Sequence, residues 1–308
     1  MSVNEVDNKL ECTEKNAVVN NIRITYFERG MAFRGIKPTL LFVHATGFHA
    51  RVWDKIINGL GDFHSISIDQ RGHGRSEKKK IEHWDEVTTD VTDFIEQLDL
   101  QSIIAIGHSM GGHALIGAAG HCEHRFLEII AIDPVIPEES AYLDQQSFEG
   151  TPEQHPTAKR RSEFDSPQEM ADRLRDKGSF GLFDPEIFMD YCTYGLLPNE
   201  KGKGYILACP PEIEASVYMS SRSNHAIYET IRSLTIPVLI LRARERTSDR
   251  DTMDFSSSPT WPQLVHEFKN GREIHFPDRT HFLPMEIPAK ITQIISDEIA
   301  GVQKMFHA

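Results

Sequence analysis

The sequence predicts an α/β fold: about eight strands, mainly parallel and flanked by helices, with a helical cap inserted between two of the strands. Three observations predict it. Apolar runs of strand length recur at Thr39–Val43, His64–Ile68, Ser102–Ile106, Glu128–Ile132, Pro237–Leu241 and Glu273–Phe276. Helical spacing separates several of them, as in Trp84, Val87, Val91, Phe94, Ile95 and Leu98, which fall on one helix face. Between about Pro137 and Leu234 the β-runs stop, and a charged stretch with clear helix starts takes their place.

Each element has a local reason. Ala17-Val18-Val19, Asn20-Asn21 and the alternating Ile22-Arg23-Ile24-Thr25-Tyr26 read as two strands joined by a tight turn. Thr39–Val43 is apolar throughout, as a strand buried on both faces must be. In the insertion, Ser166-Pro167-Gln168-Glu169 offers an N-cap, a proline at the first helical position and a capping-box glutamate. Asp184-Pro185 repeats the cap and proline, and Pro210-Pro211-Glu212 opens a third helix. The resulting division is a core of residues 1–136 and 235–308 with a cap at 137–234; a surface excursion without function is the plainer alternative.

Composition narrows the function. The chain has 308 residues, with 33 Lys plus Arg against 46 Asp plus Glu, a net charge of −13. Such a field repels phosphate backbones and anionic membranes, so neither nucleic acid nor membrane is expected as a partner. Cys12, Cys122, Cys192 and Cys209 are scattered, which suggests free thiols rather than a zinc site or a disulfide framework. The polar start MSVNEVDNKLEC carries no basic-then-apolar leader pattern, and with the unpaired cysteines this gives a cytoplasmic expectation. Gln101–Cys122 lacks acidic and basic residues over 22 positions, but five glycines and three histidines break it, so it is not a membrane span.

That window holds the chemistry. Gly107-His108-Ser109-Met110-Gly111-Gly112 directly follows the run Ser102–Ile106 and precedes the small-residue helix pattern Ala114–Ala119. A G-x-S-x-G on a strand-to-helix turn presents its serine above the sheet, with the helix amides aimed at the reacting centre. Glycines flank the serine because the turn is too tight for side chains there.

With these residues the chain resembles an α/β-hydrolase, and further landmarks extend the likeness over about residues 17 to 300. Val43-His44-Ala45-Thr46-Gly47-Phe48 resembles the family's oxyanion loop, with Ala45 where the family usually has glycine. The resemblance implies backbone N–H donors at Thr46 and Met110, with His44 structural. Asp69-Gln70-Arg71-Gly72-His73-Gly74-Arg75-Ser76 matches the family's D-x-R-G-x-G-x-S loop, read as scaffold. Asp278-Arg279-Thr280-His281-Phe282 follows the last strand, where the family places its catalytic histidine, so His281 is the expected general base for Ser109.

The acid departs from the family pattern. The usual position after Pro237–Leu241 holds Arg246, within Arg242-Ala243-Arg244-Glu245-Arg246-Thr247-Ser248-Asp249. Either Glu245, Asp249 or Asp251 serves after a local shift, or Asp133, at the end of the preceding strand, takes the role as in some family members. Asp133 is the first choice and Glu245 the next.

The resemblance implies a serine hydrolase of small-molecule carboxylic esters, acting through an acyl-enzyme and needing no metal or organic cofactor. A C–C bond hydrolase of ring-cleavage products is the alternative, with Arg242, Arg244 or Arg246 placed to hold a substrate carboxylate. A catalytically silent ligand receptor is the reading of a different class. A small molecule is the expected partner, and a homodimer the possible assembly. Phe180, Phe183, Met189, Tyr191, Tyr218 and Met219 are candidates for an acyl or aromatic pocket, though packing of the cap explains them equally well. His121-Cys122-Glu123-His124 has no common ligand spacing and reads as a solvated helix end, and Trp261 as a packing anchor.

Overall fold

Asn20 and Asn21 both adopt positive φ, 47° and 58°, the conformation that closes a two-residue hairpin with the twist of its strands. They join β1 (Thr13–Val19) to β2 (Ile22–Arg29). A computed structural model of the protein describes residues 10–143, 150–247 and 255–306. The hairpin begins an eight-stranded sheet with β3 (Thr39–Val43), β4 (His64–Ile68), β5 (Ile103–His108) and β6 (Phe126–Ile132). After the insertion come β10 (Val238–Arg242) and β11 (Gly271–His275), and the order across the sheet is β1-β2-β4-β3-β5-β6-β10-β11. Only β2 runs against its neighbours β1 and β4; the rest are parallel.

Alternation divides the core. Leu41, Val43, Ile103, Ala105, Ile129 and Ala131 face one side, with α2 (Asp85–Gln97), α3 (Met110–Cys122) and α8 (Ile227–Ser233). Leu40, Phe42, Ile104, Ile106, Ile130 and Ile132 face the other, with α1 (Asp54–Leu60) and α10 (Pro288–Phe306). Both faces are covered, which is why these strands read as continuous apolar runs rather than alternating ones. The helix read from Trp84 to Leu98 spans Asp85–Gln97, with those two residues as its caps.

The insertion contains α4 (Ser140–Leu143), α5 (Pro167–Leu174), α6 (Pro185–Tyr194) and α7 (Pro211–Met219) before α8. The N-caps act as the sequence suggests, Ser166 Oγ accepting from the Glu169 amide at 3.1 Å and Asp184 Oδ1 from those of Glu186 and Ile187, but the capping box is corrected: the Glu169 carboxylate accepts from the Asp165 amide at 2.9 Å, one residue before the expected Ser166. A second expectation is corrected. The β-runs do not stop here: β7 (Glu163–Phe164), β8 (Leu196–Pro198) and β9 (Tyr205–Leu207) form a small antiparallel sheet in the order β7-β9-β8. Strands of two or three residues carry no readable alternation, so only tertiary pairing reveals them.

Hydrogen bonds and an ion pair tie the insertion to the core. Ser216 Oγ accepts from the Ile81 amide at 3.0 Å, and the Val217 carbonyl accepts from Trp84 Nε1 at 3.0 Å. Lys55 Nζ meets Asp184 at 2.7 Å. His121–His124 ends α3 and leads into β6, and there Glu123 accepts from the amides of Thr235 and Ile236, pinning the approach to β10. That carboxylate is therefore engaged by backbone, not merely solvated. Trp261 packs against the first core face, as a packing anchor would.

Glu128 on β6 is 2% exposed and shares Arg272 of β11 with Glu298 of α10. Burial, then the neighbouring Glu298 carboxylate, outweighs Arg272 and pushes its pKa up to about 7. Between the ordinary carboxylate range and pH 7 the folded chain thus holds a proton that the unfolded chain has released, so this group's contribution falls as pH rises through that window. Glu128→Gln is expected to raise Tm by a few degrees at pH 8, about 1–2 kcal/mol, with a smaller gain at pH 5. Thermal unfolding at the two pH values checks this, and an equal change at both would contradict it.

Candidate active site

Ser109 sits at the junction of β5 and α3 with φ 58° and ψ −119°, a strained conformation for a residue with a side chain. The surroundings over-determine it. Its amide donates to the Ile132 carbonyl at 3.0 Å, and its carbonyl accepts from Gly112, His113 and Val135. A methyl group at Gly107 would lie 2.6 Å from the Gly111 carbonyl oxygen, and one at Gly111 would lie 2.2 Å from that of Val43. The two glycines let strand, turn and helix pack this closely, and Ser109 Oγ is held above the sheet.

The structure brings Ser109, His281 and Asp133 into one hydrogen-bonded chain. His281 Nε2 lies 2.9 Å from Ser109 Oγ, and His281 Nδ1 lies 2.7 Å from Asp133 Oδ2. All three are buried. An imidazole Nδ1–H donating to the carboxylate leaves Nε2 free to accept the serine proton. Asp133, with φ 46°, follows β6 directly, and its other oxygen is also satisfied. Oδ1 accepts from the Ala243 amide at 2.9 Å, from Ser258 Oγ at 2.6 Å and from Thr260 Oγ1 at 3.4 Å.

The other acid candidates separate cleanly. Glu245 is exposed and has no hydrogen bond to His281, while Asp249 and Asp251 lie outside the described residues. The chain after β10, where the family's acid is expected, supplies donors instead: Ala243, Ser258 and Thr260 grip a carboxylate that the neighbouring strand provides. The sequence shows Ser256–Thr260 only as a polar loop, and nothing in its spacing identifies those donors.

Thr46 and Met110 also meet. Thr46 Oγ1 donates to Met110 Sδ at 3.7 Å, and Met110 is the first residue of α3, whose amide has no intrahelical acceptor. His44 sets the loop between β3 and Thr46. Its Nδ1 donates to the Ala45 carbonyl at 2.7 Å, while its Nε2 accepts from the Gln70 amide at 3.0 Å. Burial, then His73, keeps this ring neutral, well below the usual histidine range. Asp69 accepts from the amides of Ala50 and Arg75 and Arg71 pairs with Asp90, so the 69–76 loop braces the site without entering it.

His108 is a contributor that sequence reading passes over. It is fully buried, and its Nε2 lies 2.9 Å from the carbonyl oxygen of His281. A carbonyl only accepts, so His108 must carry its proton on Nε2. Burial, then the His281 ring, holds His108 well below the usual histidine range and so neutral. The residue before Ser109 thereby fixes the backbone of His281.

A cavity of about 1730 Å³ opens over Ser109 and His281, lined by core and insertion residues together. Phe48, Phe180, Phe183, Tyr191 and Phe282 form an aromatic wall with centroid separations of 5.0–6.3 Å. Of the expected pocket residues, Phe180, Phe183, Tyr191, Tyr218 and Met219 line this cavity, whereas Met189 packs into the second core face. Arg242 is corrected: it is buried in a two-point ion pair with Glu273, at 2.8 and 3.2 Å, and cannot hold a ligand. Arg244 lines the cavity and donates to the carbonyls of Pro277 and Asp278; Arg246 is not among the lining residues. Among the described residues no cluster of metal-ligating side chains is present, and no helix is long and apolar enough to cross a membrane.

Asp133→Asn is expected to lower kcat by about 10³–10⁴-fold through the wrong imidazole tautomer, and Glu245→Gln to change it by less than about 2-fold. Ser258→Ala, which removes one donor to Asp133 Oδ1, is expected to cost about 10-fold. Steady-state kinetics of the three variants check the assignment, and a larger loss in Glu245→Gln than in Asp133→Asn would reverse it.

Comparison with known proteins agrees with this architecture. Over 102 residues the chain is 31% identical to the 2-(acetamidomethylene)succinate hydrolase of Mesorhizobium japonicum, covering 32% of this chain and 37% of that protein. It is also 31% identical over 97 residues to a putative esterase/lipase of Haemophilus influenzae, covering 31% of this chain and 34% of that protein. The matches thus span little more than a third of either relative. The crystal structure of E-2-(acetamidomethylene)succinate hydrolase superposes with a TM-score of 0.72 at 20% identity, over 93% of this chain and 98% of that one. The model of the alpha/beta hydrolase family matches residues 40–293. The chain belongs to the alpha/beta hydrolase family.

Proposed function

We propose that this protein is a serine hydrolase that cleaves small-molecule carboxylic esters through an acyl-enzyme. The observation that carries the reading is the unbroken Ser109–His281–Asp133 hydrogen-bond chain, which opens on the cavity beside Thr46 and Met110. Ser109 Oγ attacks the ester carbonyl carbon as its proton passes to His281 Nε2. The carbonyl oxygen becomes the oxyanion, held by the amides of Thr46 and Met110. Collapse breaks the bond to the leaving alkoxide, which takes the proton from His281. A water molecule then gives a proton to the same nitrogen and attacks the acyl carbon; collapse of this second intermediate breaks the bond to Ser109 Oγ, which takes the proton back from His281, and the acid is released. No cofactor enters these steps.

Two alternatives have less support. The C–C hydrolase reading relied on Arg242, Arg244 or Arg246 for a substrate carboxylate. Arg242 is spent on Glu273, and two N–H groups of Arg244 are spent on carbonyls. The silent-receptor reading relied on the missing acid, and the 2.7 Å contact of Asp133 with His281 supports Asp133 in that role.

Hydrolysis of p-nitrophenyl esters from acetate to decanoate by the unmodified enzyme and by Ser109→Ala is the test. Turnover is expected with a chain-length optimum set by the aromatic wall, with a loss of at least about 10³-fold in the variant. Absence of any ester turnover would overturn the esterase reading. Labelling of Ser109 by a fluorophosphonate would then favour the C–C hydrolase, and failure to label would favour the silent receptor.

A further inference from the structure

Glu214 projects from α7 onto the oxyanion loop. A methyl group at Gly47 would lie 2.8 Å from its Oε1, so the carboxylate rests against the backbone one residue beyond Thr46. Gly47 has φ +78°, a conformation that strains a residue carrying a side chain. Glu214 is 6% exposed, and a negative charge here faces the place where the proposed reaction develops another. An uncompensated carboxylate in so little water would oppose that charge directly.

The compensation comes from Arg160. Its Nη1 donates to Glu214 Oε2, its Nη2 reaches the Tyr191 hydroxyl at 3.5 Å, and the Tyr218 hydroxyl donates to Glu214 Oε1 at 3.3 Å. Arg160 and Glu214 both line the cavity above Ser109, and both belong to the insertion. Burial works against the Arg160 charge, but the Glu214 carboxylate outweighs it and holds the guanidinium above its usual range. Glu214 is the member of the pair that lies against Gly47, so Arg160 acts on the loop through it.

We propose that Arg160 is a positioning residue for the oxyanion hole: it neutralises and orients Glu214, so that the insertion rests on the Thr46–Gly47 backbone without placing a net negative charge beside the oxyanion. The inference rests on the serine-hydrolase reading. It makes the insertion part of the oxyanion site's electrostatics and not only a wall of the cavity. The pair is invisible in the sequence because 54 positions separate its members.

The test compares the unmodified enzyme with Arg160→Ala, Arg160→Lys and the double variant Arg160→Ala/Glu214→Gln, on p-nitrophenyl butyrate and with phenylboronic acid as inhibitor. In the boronate adduct Ser109 Oγ bonds to boron, its proton passes to His281, and boron takes on the negative charge of the oxyanion. Arg160→Ala is expected to lower kcat about 10–100-fold and weaken phenylboronic acid by a similar factor, with KM changed by less than about 3-fold. Arg160→Lys and the double variant are expected to recover most of both losses. If the double variant stays as impaired as Arg160→Ala, or if KM carries the loss, the charge role is wrong and the pair is only a clasp within the insertion. Arg160→Gln, which keeps most of the side-chain volume, carries the same test if the alanine variant does not fold. An unmodified enzyme that neither hydrolyses the ester nor binds the boronate would sink the parent reading, and this inference with it.

Discussion

A fully buried carboxylate organises this molecule. Asp133 is fully buried, so its carboxylate oxygens must find their hydrogen-bond donors within the protein. Four groups converge to provide them: the His281 ring, the Ala243 amide and the hydroxyls of Ser258 and Thr260. They come from three separate stretches of chain, after β10, near residue 260 and after β11. Satisfying one oxygen pair therefore aligns the ends of β6, β10 and β11, and Ser109 meets the imidazole that results.

Neutral histidines extend that order outward. His44 and His108 are buried beyond the point where a charge is tolerable, and each spends its ring on backbone. One joins the loop after β3 to the 69–76 loop; the other holds His281 beside Ser109. A neutral imidazole suits both places because it donates on one side and can accept on the other without adding charge next to His281.

The insertion completes the site in a different manner. It adds Phe180, Phe183 and Tyr191 to the aromatic wall that Phe48 and Phe282 of the core begin, and it brings the charge of Glu214 with Arg160 to cancel it. Its anchoring is polar as well as apolar: Ser216, Val217 and Asp184 hold it to α1 and to the segment before α2.

The sequence by itself determined what local physics can encode. Apolar runs covered on both faces marked the sheet, the Asn20-Asn21 turn marked the hairpin, and the glycines around Ser109 marked the elbow, because each depends on residues adjacent in the chain. Ser109 was legible because it directly follows β5, and His281 because its place after the last strand resembles that of the family's histidine. Which carboxylate meets His281 was only half legible. Asp133 and Glu245 both follow strands, and nothing local says which has donors around it. Tertiary structure decided that, by folding Ser258 and Thr260 onto Asp133 and leaving Glu245 exposed. It also decided the burial of Arg242 against Glu273, the three short strands of the insertion, and the Arg160–Glu214 pair. Each of these is a contact between distant positions, and no periodicity in a single chain records which distant groups will meet.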